Sequence, residues 1–109
     1  MHELAITESV VAGVSERVGD ARVTRVVLEI GRLSGVAPEA VRFCFDLCAR
    51  GTPLEDATLE IVPVAGRARC RDCGGEPEME DWLSLCGCGS ADLELIQGRE
   101  LRIRAVEVI

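Results

Sequence analysis

Two clusters of residues in this chain could do chemistry, and both are ligand sets. Cys70-Arg71-Asp72-Cys73-Gly74 is a Cys-x2-Cys pair followed by glycine, and Cys86-Gly87-Cys88-Gly89 is a second cysteine pair after twelve intervening residues. Four thiolates spaced in this way can surround one metal ion tetrahedrally, and Zn(II) is the usual occupant of such a set; iron of rubredoxin type is open on the ligands alone. The second pair has one intervening residue where two are usual, so its loop must be tighter, and Gly87 is expected to make that tightness feasible. The other cluster is smaller. The single histidine of the chain is His2, directly behind Met1. The α-amino group, the His2 amide nitrogen and an imidazole nitrogen can close fused chelate rings on one ion, a nitrogen-rich set that suits Ni(II) or Cu(II) better than Mg(II) or Ca(II). A solvated terminus carrying an incidental histidine is the competing reading of the same residues.

Composition narrows what these sites serve. A chain of 109 residues supports one ordinary domain, or a small domain with a module too small to hold a core unaided. All twelve basic residues are arginine, against nineteen acids, for a net charge of −7. Nucleic acid is therefore not an expected partner, since phosphate neutralisation dominates that affinity. The N-terminus is acidic where a signal peptide is basic, and no apolar run reaches membrane-spanning length, so the protein is expected in the cytoplasm with no membrane partner. In a reducing compartment clustered thiols read as metal ligands rather than disulfides. No Ser/His or Cys/His catalytic pairing is credible with one terminal histidine, and no phosphate-binding glycine fingerprint is present, so the chain is not expected to be an enzyme.

The elements that must position these residues follow from periodicity. Leu4, Val11, Val14 and Val18 mark a helix from about Leu4 to Val18, ended by Gly19-Asp20, with His2 and Glu3 at its mouth. Arg22 to Leu33 alternates as a half-buried strand with Val26, Leu28 and Ile30 on one face. A second helix is expected from Pro38 to Arg50 before Gly51, with Ala37, Ala40, Val41, Cys44 and Cys48 on one face; the two thiols in this apolar stripe read as core packing rather than as a chelate. Strands follow at Ala57 to Val64 and Glu100 to Val108. In the last, the apolar phase moves from Leu101, Ile103 and Ala105 to Val106 and Val108, which predicts a bulge or a strand buried on both faces near its end.

Between those strands, Gly66 to Gly98 nearly lacks β-branched residues, gathers glycine and acids, and reads as a loop-rich insert resembling a zinc ribbon. Its large apolar residues are only Met79, Trp82, Leu83, Leu85, Leu93, Leu95 and Ile96, so it is expected to need a metal to fold. Its acidic run Glu76 to Asp81 reads as a solvated loop in preference to a docking surface for a basic partner. The expected fold class is thus α+β: two helices on a small three-stranded sheet (residues 1–64 with 99–109) carrying an inserted four-cysteine module (65–98).

Met1-His2-Glu3-Leu4, the Cys-x2-Cys…Cys-x-Cys insert and the strand entry Ile96-Gln97-Gly98-Arg99-Glu100-Leu101 together resemble the HypA/HybF family of hydrogenase-maturation nickel metallochaperones, over essentially the whole chain. The resemblance implies Ni(II) bound at the N-terminus through His2, with Met1 and Glu3 as further candidates, and structural zinc on Cys70, Cys73, Cys86 and Cys88. It implies delivery toward the [NiFe]-hydrogenase large subunit with a partner GTPase, and in some members toward urease through its accessory proteins; a homodimer is open. Cys44 and Cys48 match no ligand of the family. A zinc-ribbon adaptor that binds only protein and carries no nickel is the alternative, and it explains the insert cysteines equally well.

Overall fold

The computed structural model describes residues 2–109. Helix α1 spans Glu3–Val18, with His2 at its N-cap and Ile6 donating to the His2 carbonyl at 2.9 Å. It stops at Gly19, which takes φ of 59° and returns a hydrogen bond to the Ser15 carbonyl. Of the expected stripe, Val11 and Val14 are buried and Val18 packs against the core, whereas Leu4 is half exposed and Glu3 and Thr7 take the inward places of the first two turns. Two polar residues can sit inside because both are satisfied: Thr7 Oγ1 donates to the Glu3 carbonyl at 2.6 Å, and the Glu3 carboxylate accepts from the Ala37 amide at 3.0 Å.

Strand β1 (Val23–Gly31) is followed by α2 (Pro38–Ala49), with proline in its first turn, and by β2 (Thr58–Val64). The last strand, β6 (Leu101–Val108), completes a sheet of order β2-β1-β6. Val11 and Val14 of α1, Val23 and Val26 of β1, Phe45 and Ala49 of α2 and Leu54 form the core beneath it. The buried stripe of α2 is Val41, Phe45 and Ala49, with Cys48 packed against the core; of the expected face Ala37, Ala40, Val41, Cys44 and Cys48, Val41 and Cys48 face inward, and Phe45 and Ala49 are additions to it. On the outer face Arg25 bridges Glu60 and Glu107, and Arg102 pairs with Glu29 at 2.7 Å. Arg102 and Arg104 thus reach Glu29, whereas Glu107 reaches Arg25 and Val106 packs on the core. The alternation changes phase between Arg104 and Glu107, where the sequence pattern places the bulge.

The chain divides into two compact units. One holds the residues through Glu29, Val36–Val62 and Arg102–Ile109; the other holds Ile30–Gly35 and Pro63–Leu101. The second unit is wider than the 65–98 segment because Leu33 packs with Ala68 and Met79, with Leu93 and Leu95 against them. It is loop-rich, as expected, but is organised on a small sheet. Strands β3 (Gly66–Cys70), β4 (Glu78–Met79) and β5 (Leu93–Gln97) form an antiparallel sheet of order β4-β3-β5, with Gly66 opposite Met79 and Cys70 opposite Leu93. In β3 the buried residues are Gly66, Ala68 and Cys70 and the exposed ones are Arg67 and Arg69, an alternation too small in volume to read as hydrophobic.

Within this unit three backbone segments cross closely at glycines, with the Leu33 side chain against Gly66 and Gly98. The Gly31 amide donates to the Glu100 carbonyl and that of Leu33 to Gly98, both at 2.7 Å, and that of Arg32 to Val64 at 2.9 Å. A Cβ on Gly31 would strike the Gly98 carbonyl, and one on Gly98 would stand 2.7 Å from the Gly66 Cα. Among the described residues no helix is long and apolar enough to cross a membrane.

Candidate metal sites

The four insert cysteines arrive on two turns of similar design. Cys70 closes β3; its amide donates to the Gly75 carbonyl at 2.7 Å, its carbonyl accepts from Gly74 at 2.9 Å, and the Gly75 amide points at Cys73 Sγ at 3.4 Å. In the second turn the Cys86 amide donates to Ser90 at 3.0 Å and the Cys86 carbonyl accepts from Gly89 at 2.8 Å. The closing glycine lies four residues after the first cysteine in one turn and three in the other, which absorbs the missing spacer residue. Gly74 and Gly89 take φ of 74° and 92°, the left-handed region that favours glycine. Gly87, expected to carry that burden, has no positive φ, and a Cβ there would meet open space. The signal for Gly89 was available: glycine follows the second cysteine of each pair. Ser90 Oγ donates to Asp72, and Arg71 holds Asp92 at 2.9 Å, tying one turn to the other.

All four Sγ atoms lie within 4.8 Å of one another, with Cys70 to Cys88 at 3.7 Å and Cys73 to Cys86 at 3.5 Å. A disulfide is about 2.05 Å; a tetrahedron with metal–sulfur bonds of about 2.3 Å has edges of about 3.8 Å. The spacing is that of a tetrahedral thiolate site. Its electrostatics agree. The Cys73 amide, with that of Asp72, draws the Cys70 thiol down to about 7 against the opposing effect of burial. Cys88 receives the Ser90 amide, which lowers it, yet the adjoining Cys86 and Cys70 sulfurs prevail and push it up to about 12. Neighbouring sulfurs thus oppose one another's ionisation, a repulsion that a bound cation relieves. Cys70 and Cys86 are buried and Cys73 and Cys88 exposed, which leaves the site open on one side.

The other two cysteines join no such cluster. Cys48 packs against the core of the first unit, and its thiol is pushed up by burial first, then by Glu8 and Cys44.

His2 is exposed at the start of α1, and its side chain makes no capping hydrogen bond. Met1 lies outside the described residues. Glu3 is 6% exposed, with one carboxylate oxygen committed to the amide of Ala37, the N-cap of α2. That inward anchorage was not read from the sequence, though Glu3 and Thr7 at helical spacing on an otherwise apolar side were its trace. Among the described residues His2 belongs to no group of three or more His, Cys, Asp or Glu side chains placed to share a metal. What this end offers a metal is the exposed imidazole and the backbone nitrogens beside it.

The family described as hydrogenase/urease nickel incorporation, metallochaperone HypA, matches residues 1–108. The chain belongs to the HypA family. The hydrogenase maturation factor HypA of Nostoc punctiforme is 52% identical over 108 residues, covering 99% of this chain and 96% of that protein. The HypA of Geotalea uraniireducens is 45% identical over 109 residues, covering 99% of each. Among solved structures, the nickel metallochaperone HypA of Helicobacter pylori superposes with a TM-score of 0.69 at 26% identity, over 100% of this chain and 98% of that one. The family is one of metallochaperones and maturation factors rather than catalysts. The chain has an α+β fold with a zinc-ribbon-like four-cysteine module, and its fold is shared with that solved structure.

Proposed function

We propose that this chain takes up Ni(II) at its N-terminus and hands it on during maturation of [NiFe]-hydrogenase, and of urease where that enzyme is served. The family match over residues 1–108, in a chain whose one histidine is exposed at position 2, carries this reading. In it, the α-amine of Met1, the backbone nitrogens and the His2 imidazole bind the ion, while the Glu3 carboxylate, held by Ala37, anchors the helix start beside it. A site with so few fixed donors selects a nitrogen-seeking ion yet can release it to a partner. The partners in this reading are the nickel-insertion GTPase and the hydrogenase large subunit in the cytoplasm, with urease accessory proteins and a second copy of the chain as further ones.

Cys70, Cys73, Cys86 and Cys88 would hold Zn(II), whose preference for four tetrahedral thiolates matches their spacing. Zinc would supply a structural cross-link between the two turns.

Calorimetric nickel titration of the protein with its native, untagged N-terminus tests the proposal. His2→Ala, or any extension ahead of Met1, is expected to weaken binding more than about tenfold. Affinity is expected to fall as the pH is lowered, because metal ligands bind in their deprotonated form. Binding by the tagged protein as tight as by the untagged one would remove the α-amine from the ligand set. Unchanged binding in His2→Ala would leave the zinc-ribbon adaptor as the better reading.

A further inference from the structure

The large apolar side chains of the second unit are divided between two uses. Met79 is buried with Leu33 and Ala68, and Leu93 and Leu95 pack on them. Trp82, Leu83 and Leu85, on the loop between β4 and β5, are 56%, 87% and 57% exposed. A unit with so small a core gains nothing in stability by leaving three such side chains in water. Contiguous exposed apolar groups rimmed by polar residues mark interaction sites.

The loop is also built to hold them there. Asp81 Oδ1 accepts from the Leu83 amide at 2.8 Å and from Ser84 Oγ at 3.4 Å, and Ser84 Oγ accepts from the Glu80 and Asp81 amides at 3.2 and 3.4 Å. A presentation fixed before binding lowers the ordering cost of association. Beside the tip lies a groove of about 300 Å³ lined by Met79, Trp82, Leu85, Ala91, Leu93 and Leu95.

Charge selects the occupant. Arg67 and Arg69 are both committed to Glu76, Arg71 to Asp92, and the Arg99 guanidinium lies 5.7 Å over the Trp82 ring. Glu78, and Glu80 and Asp81 directly before Trp82, are exposed and make no ion pair among the described residues. An anionic membrane would be repelled by this collar, and so would a second copy presenting the same tip. We propose that the tip docks a protein segment in which lysine or arginine side chains surround one large apolar side chain, the latter entering the groove while the cations meet Glu78, Glu80 and Asp81. The proposal holds whether or not the N-terminus carries nickel.

Trp82 is the only tryptophan of the chain and so reports directly on its own site. The probe is a short synthetic peptide of lysine and serine with one central phenylalanine, titrated into the intact protein as purified. A saturable blue shift of Trp82 emission is expected, absent with the peptide whose lysines are replaced by glutamate and with the one whose phenylalanine is replaced by serine. Leu83→Ser, at a position exposed enough to leave the fold intact by circular dichroism, should weaken binding about tenfold. The Glu78→Gln/Glu80→Gln variant should weaken it about threefold and flatten its salt dependence. No saturable binding, or equal binding by either altered peptide or by Leu83→Ser, overturns the proposal. So does a sedimentation dimer dissolved by Leu83→Ser, which would assign the tip to a second copy. A Trp82 shift with phosphatidylcholine vesicles but not with the peptide would assign the tip to lipid and overturn the proposal as well.

Discussion

The two units solve the same problem with different materials. The first closes around Val11, Val14, Val23, Val26, Phe45, Ala49 and Leu54, drawn from two helices and a sheet. The second buries Leu33, Ala68 and Met79 as an apolar cluster, and its other buried side chains are Ile30 and the thiols Cys70 and Cys86. Where apolar area is scarce, a ligand site takes the place of a core, and folding becomes conditional on the ligand. The first unit should therefore respond to lost volume and the second to lost metal.

Metal removal gives the largest expected effect. Chelation, or the Cys70→Ser/Cys73→Ser double substitution, should collapse the amide signals of the second unit in an NMR spectrum while those of α1 and β1 persist; a second unit that stays folded would break the contrast. Next comes Phe45→Ala. Removing a side chain that is 2% exposed should cost about 3–5 kcal/mol of stability in denaturant unfolding and leave metal content unchanged. The smallest effects separate two neighbouring glycines. Gly89→Ala forces a left-handed φ of 92° on a residue with a Cβ and should cost about 1–2 kcal/mol, read as weaker metal retention against a competing chelator. Gly87→Ala should behave as the unaltered protein.

Much of the first unit was legible because its signals are large. Helical spacing of valines set α1, alternation set β1, β2 and β6, and the phase change at Ala105-Val106 foretold the broken alternation. The inward faces were legible through Val11, Val14, Val18, Val41 and Cys48 but not complete. In α1 the inward place of Glu3 depends on the Ala37 amide, a long-range partner, and in α2 the apolar count passed over Phe45. The four cysteines were plain from spacing, but which glycine shapes the second turn depends on dihedral angles that spacing does not carry. Strand β3 was hidden because glycine, alanine and cysteine fill its inward positions, and β4 because two residues have no period. The exposure of Trp82 and Leu83 was hidden too. Composition counts an apolar residue without saying which side of the surface it occupies.

The glycine crossing in the second unit has a consequence for timing. The amides of Gly31, Arg32 and Leu33 are fastened to carbonyls of Glu100, Val64 and Gly98 where the backbones cross closely at glycines. Side-chain fluctuations cannot expose these protons singly; the strands must part. Their exchange with deuterated solvent would thus run on the clock of whole-unit opening rather than of local fraying, and three slow protons would time how often the second unit comes undone.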